Sequence, residues 1–179
     1  MQGIGIQTSL GRISEKRGGQ MSITVYDLIS IDPGKRLGVA LWKDKTLRYC
    51  NTFDYSFNTM WQFLLKNPAK YLAIELQYYY NNAKILMDLV ALRAEVTTLY
   101  RVCNPMGSII RVSASEWQKV LELGAKAPRK ERKEAALAYA EKYTGQIMRS
   151  FDTADAVCIG LYTLNFLLDK SKKSDILEN

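Results

Sequence analysis

The sequence predicts an α/β domain in which a mixed five-stranded sheet is flanked by helices. Three features carry that expectation: three β-rich runs in succession near the start, one buried-strand run after a short helix, and alternating helix and strand leading into a block of helices. Hairpin-joined strands followed by helical crossovers give a sheet that is antiparallel on one side and parallel on the other.

Residues 28–31 (LISI) form a short apolar run ending in Asp32-Pro33-Gly34, which reads as a strand and then a turn. Residues 37–42 and 46–53 are β-rich and joined by Lys43-Asp44-Lys45, so the first three strands form a meander. Residues 57–65 read as a short helix closed by Asn67-Pro68, and 71–76 (YLAIEL) as a buried central strand. A long helix at 82–102, a fifth strand at 109–112 and helices at 114–123, about 129–143 and about 151–168 complete the series. Residues 1–20 show no sustained period and 171–179 are polar. Both read as flexible extensions around one domain spanning 21–170.

The long helix carries two stripes. Ile85, Leu89, Leu92, Val96 and Leu99 follow a four-three spacing, and Ala83, Met87, Val90, Ala94 and Thr97 repeat it two positions earlier. Two positions turn a helix by about 200°, so the stripes lie on nearly opposite faces. One can face the sheet. The other needs a second partner, either the C-terminal helices or a second copy in a homodimer formed through 82–102.

Composition narrows the chemistry. The 179 residues, 47% hydrophobic, suffice for one full core, and the formal charge of +7 favours polyanions such as nucleic acid. Cys50, Cys103 and Cys158 have neither zinc-site nor disulfide-scaffold spacing and read as reduced thiols of a cytoplasmic protein. No apolar run reaches the roughly 18 residues that cross a bilayer, so no membrane partner is expected. The absence of histidine removes Ser-His-Asp, Cys-His and His-zinc mechanisms. Carboxylates, lysines, tyrosines, thiols or a hard cation held by oxygen are left.

Four carboxylates fit that remainder. Asp32 closes an apolar strand, where a charge is costly without compensation, although Asp before Pro-Gly is also ordinary turn chemistry. Glu75 interrupts the fourth strand in the same way, and no turn residue follows it directly. Asp152 and Asp155 lie three apart at the start of the last helix, so they share a face; a capping box with Asp152 as N-cap is the alternative. Brought into one cleft, four acids need bound positive charge, and Mg²⁺ or Mn²⁺ held by oxygen supplies it. A pair of such ions about 4 Å apart suits phosphodiester hydrolysis.

ISIDPGKRLGVALW, YLAIELQYYYNNAK and FDTADAVCIGLY, in that order, resemble the three catalytic segments of the RuvC family of Holliday junction resolvases. The resemblance spans roughly residues 27–168. It implies an RNase H-like fold, a homodimer, Mg²⁺ or Mn²⁺ with two ions per active site, and four-way junctions or other branched DNA as substrate. It makes Asp32, Glu75, Asp152 and Asp155 both catalytic and metal-binding. The stretch between Asp32 and Glu75 is shorter than in bacterial RuvC, and LQYYY follows Glu75 in place of the family's Gln and Phe pattern, so the likeness is to a divergent, phage-like member.

Residues 126–133 hold Lys126, Arg129, Lys130, Arg132 and Lys133 against Glu131 alone. A solvated helix start is the ordinary meaning of such a run, but cations oppose the dipole at a helix N-terminus, so phosphate contact by Arg129, Lys130 and Lys133 explains the placement better. The resemblance places a phosphate-contacting lysine here, with Lys130 the best match and Lys119 the second. It also makes Tyr78 the base-wedging aromatic. Lys35 and Arg36, after Asp32, are further candidates for backbone phosphate. A YqgF-like nuclease acting on structured RNA and a non-catalytic nucleic-acid-binding protein of the same fold share most of these features.

Overall fold

The computed structural model describes residues 24–34, 36–76, 82–123 and 127–168. Lys35, Tyr78, Lys126 and both expected extensions lie outside the described residues. The elements are β1 (Tyr26–Asp32), β2 (Arg36–Lys43), β3 (Thr46–Asp54), α1 (Phe57–Lys66), β4 (Ala69–Leu76), α2 (Ala83–Cys103), β5 (Ser108–Ser113), α3 (Ala114–Trp117), α4 (Arg129–Thr144) and α5 (Phe151–Tyr162). The sheet runs β3-β2-β1-β4-β5, antiparallel from β3 to β1 and parallel from β1 to β5. That is the mixed five-stranded sheet the sequence predicts. In the β2–β3 hairpin, Asp44 and Lys45 both take positive φ, as a two-residue loop between twisted strands requires.

Two helices differ from expectation. The predicted helix over 114–123 is α-helical only to Trp117 and then tightens into a 3-10 turn (Gln118–Leu121), which Glu122 ends in the left-handed region at φ 55°. The last helix is α-helical to Tyr162 and π-helical from Thr163 to Leu168; at the change the Thr163 hydroxyl donates to the Ile159 carbonyl (2.8 Å).

Strand alternation sorts the core into two layers. Ile29 and Ile31 of β1 and Leu72 and Ile74 of β4 pack with Met60 and Leu64 of α1 and Val96, Leu99 and Tyr100 of α2. On the other face Leu28, Trp42 and Ala73 meet Ala136 and Ala140 of α4 and Ala154, Val157, Cys158 and Ile159 of α5. The α4/α5 pair therefore lies across the sheet from α2. The C-terminal helices do not cover the second stripe of α2, which corrects the expectation of a helix sandwiched between sheet and helices. Among its described residues only Val96, Leu99 and Tyr100 are buried, while Ile85, Met87 and Val90 are exposed.

α5 is seated on the sheet by polar as well as apolar contact. Ser30 Oγ donates to the Ala156 carbonyl (2.7 Å) and accepts from Trp42 Nε1 (2.9 Å), both bonds buried. Two glycines admit the close approach: a Cβ on Gly38 would lie 1.9 Å from the Asp152 carbonyl oxygen, and one on Gly160 would lie 2.3 Å from Trp42 Nε1. Gly160→Ala is accordingly expected to destabilise the fold by about 1–3 kcal/mol, the usual cost of overpacking. Urea denaturation measures it, and an unchanged midpoint would mean that the α5 seat is looser than drawn.

Candidate active site

The alternation that buries Ile31 and Ile74 beside α2 turns the next residue of each strand to the α5 side. β1 and β4 are parallel with Ile31 opposite Ile74, so Asp32 and Glu75 emerge side by side at the ends of adjacent strands. α5 supplies the other two acids. Its N-cap is Ser150, whose hydroxyl accepts from Thr153 N (3.1 Å). The alternative in which Asp152 caps the helix and Asp155 reaches back is therefore corrected: a serine does that work and leaves both aspartates for the cleft. Asp32, Glu75, Asp152 and Asp155 all line one cleft of about 770 Å³.

The electrostatics there are strained. Burial raises the Asp32 carboxyl well above its usual range, and the neighbouring Glu75 and Asp155 raise it further. Burial likewise lifts Asp155 to about 6, against the opposing pull of Lys133. Lys133 itself is raised: burial alone would lower it, but Asp155, Asp32 and Asp152 outweigh that effect. Its ammonium donates to Asp155 Oδ2 and lies 4.0 Å from Asp152 Oδ1.

Lys133 owes this position to helical spacing. On α4 the buried Ala136 and Ala140 mark the face against α5, and Arg129, Arg132 and Lys133 lie along that same side and line the cleft. Lys130, the preferred phosphate-contacting lysine, turns outward: its side chain is 87% exposed and sits 3.8 Å from Glu134. Lys119 is exposed and does not line the cleft, whereas Arg36 does, with its guanidinium donating to Thr52 Oγ1 (3.1 Å).

Two further groups escaped the sequence reading as site residues. Trp117 donates its indole N–H to Glu75 Oε1 (2.9 Å). Arg132 lines the cleft with a buried Nε that lacks a hydrogen-bond partner, while its terminal nitrogen donates to Gln118 (3.2 Å). Arg132 carried a signal, since it stands three residues after Arg129 on one helix face; Trp117 carried none, because its contact spans 42 positions.

The cleft's donors are suited to a hard divalent cation. All four acids offer oxygen, and Asp155 Oδ1 is buried without a hydrogen-bond partner. As they stand, no three of the described Asp, Glu and Cys side chains are gathered into a ready ligand set. Lys133 occupies the other Asp155 oxygen, Oδ2.

No protein-family model and no curated protein matches the sequence. The fold does match solved structures. The chain superposes on Thermus thermophilus RuvC in complex with a Holliday junction substrate with a TM-score of 0.63 at 15% identity, covering 76% of this chain and 92% of that one. A second T. thermophilus RuvC structure gives 0.63 at 15% identity, with 80% and 96% covered. The fold is thus that of the RuvC-type resolvases, with the RNase H-like mixed sheet expected of them.

The raised acids make stability depend on pH. An acid whose pKa is higher folded than unfolded contributes stability that is full below about pH 4 and is lost as pH rises through its folded value. For Asp155, a rise from 3.8 to about 6 corresponds to a loss on the order of 3 kcal/mol. With chelator present, Asp155→Asn should therefore gain stability relative to the parent between pH 4 and pH 7, and Mg²⁺ should narrow the gap at pH 7. Denaturation at the two pH values measures it; a gap that does not change with pH counts against burial of an ionised Asp155.

Proposed function

We propose that this chain is a divalent-metal-dependent endonuclease that hydrolyses phosphodiester bonds in four-way junctions or other branched DNA. The carrying observation is the meeting of Asp32, Glu75, Asp152 and Asp155 in one cleft that is also lined by Arg36, Arg129, Arg132 and Lys133. The shared fold with RuvC supports the choice of substrate, since one RuvC structure holds a Holliday junction.

In this reading the four acids hold Mg²⁺ or Mn²⁺, two ions per site. Such ions supply Lewis acidity toward the phosphate and lower the pKa of water. Arg129 and Arg132 meet phosphate oxygens, and the unpartnered Arg132 Nε is a donor already desolvated for that contact. Lys133 balances the charge of Asp155 until the acids take up a cation, and then becomes a donor to the substrate. Arg36 contacts the backbone at the cleft, Lys119 and Lys130 are phosphate contacts outside it, and the sequence alone proposes Lys35 as a further phosphate contact and Tyr78 as the aromatic that stacks on an opened base. Among the described residues no helix is long and apolar enough to cross a membrane.

Asp32→Asn and Asp155→Asn remove a charge without changing shape. Each should lower Mg²⁺-dependent cutting of a four-way junction by at least about 10³-fold while junction binding in chelator stays within a few-fold. A gel cleavage assay on junction, duplex DNA and structured RNA decides the matter. Persistent cutting sinks the site assignment, and RNA cleaved as well as junction sinks the substrate.

The exposed apolar residues of α2 support a homodimer as part of this reading. Its first half presents Ile85, Met87 and Val90 to solvent, and a symmetric partner through 82–102 would bury them while bringing a second cleft to a two-fold junction. Light scattering should give twice the chain mass, and Met87→Glu should give the single mass with nicks in place of paired cuts. A parent chain that remains monomeric with junction bound overturns this arrangement.

A further inference from the structure

Glu75 differs from the other three acids in how it is held. Asp155 is tied to Lys133, Asp152 lies near the same ammonium, and Asp32 is enclosed by the sheet and α5. Among the described residues Glu75 makes no ion pair. It has three rotatable bonds, stands one residue from the end of β4 and is only partly buried. Left alone, such a side chain samples several rotamers.

Trp117 limits that freedom. Its indole is 2% exposed and packs in the cluster with Ala136, Ala140 and α5, so its N–H would be left unsatisfied in the core without the carboxylate of Glu75. Its own position is set twice over. Parallel pairing places Ser113 of β5 opposite Leu76, and a capping box fixes the turn that follows: Ser113 Oγ accepts from Glu116 N (3.2 Å) while Glu116 Oε2 accepts from Ser113 N (2.7 Å). Trp117 follows directly on a turn that cannot shift without breaking both bonds. A neutral donor in this place orients a carboxylate without cancelling its charge, which a lysine or arginine would do.

We infer that Trp117 is a positioning residue for Glu75, holding Oε1 so that Oε2 is the oxygen presented to a divalent cation. The use of that oxygen rests on the nuclease reading above; the clamp itself does not.

Indole proton resonances of ¹⁵N-labelled protein test the clamp directly. Trp117→Phe assigns the Trp117 signal among the chain's three tryptophans. With Trp117 intact, Glu75→Ala should shift that signal and speed its exchange with solvent, Glu75→Gln should leave it near the parental position because an acceptor oxygen remains, and Mg²⁺ should move it in the parent. In junction cleavage, Trp117→Phe should lower kcat about 10–100-fold, leave KM for the junction within about twofold and raise the Mg²⁺ needed for half-maximal rate, the pattern of a lost orienting contact. An indole signal indifferent to Glu75→Ala overturns the proposal, as does Trp117→Phe with parental kcat and Mg²⁺ demand. If the parent cuts no junction, the nuclease reading falls, and the indole response to Glu75→Ala and Glu75→Gln still decides the clamp.

Discussion

A carboxylate at the floor of a protein cleft stays ionised only with positive charge within a few ångströms, and here four carboxylates meet in one cleft. The protein answers part of that demand itself. Lys133 reaches Asp155 and Asp152 from α4, and Arg129 and Arg132 stand on the same helix face. Lys133 is the cation in contact with the acids, yet burial, with the neighbouring carboxylates, still raises Asp32 and Asp155, and one Asp155 oxygen has no hydrogen-bond partner. In the proposed function, divalent cations and the phosphates of a polyanion meet that unbalanced, buried charge.

The acids meet only because α5 lies close against the sheet. The Trp42–Ser30–Ala156 hydrogen bonds link β2, β1 and α5 in the core, and Gly38 and Gly160 remove the atoms that would hold the helix away. α4 in turn follows α5, through Ala136 and Ala140. Side chains as small as alanine at those positions bring the α4 backbone near enough for a lysine to reach the acids. Packing of small residues thus determines the electrostatics.

The strands and the two strand-borne acids were legible because alternation is a local property. An acid at the apolar end of a strand, with its neighbours facing the other way, must point to one face, and Asp32 and Glu75 do so in parallel register. The helices were less legible. The two stripes on α2 show that two faces are apolar, but not which face of the sheet the crossover takes, and the structure places α2 beside α1 and opposite α4 and α5. At the start of α5, Asp152 and Asp155 read equally as a capping box until Ser150 is seen to hold the cap. Lys130 and Lys133 illustrate the same limit. Both stand in one basic run, and only the side of α4 that Ala136 and Ala140 turn toward α5 shows which lysine reaches the cleft.

By itself the sequence determined the order of the elements, the mixed sheet, the acids and the chemistry open to a chain without histidine. Each of these follows from residue type and short-range period, which do not depend on distant partners. Tertiary structure alone decided that Lys133 rather than Lys130 joins the acids, that Trp117 bonds Glu75 across 42 positions, and that half of α2 stays uncovered. Those outcomes depend on how far apart two helices settle and on which side of a sheet each lies. The side chains packed between the elements set both, and no periodicity within one segment records them.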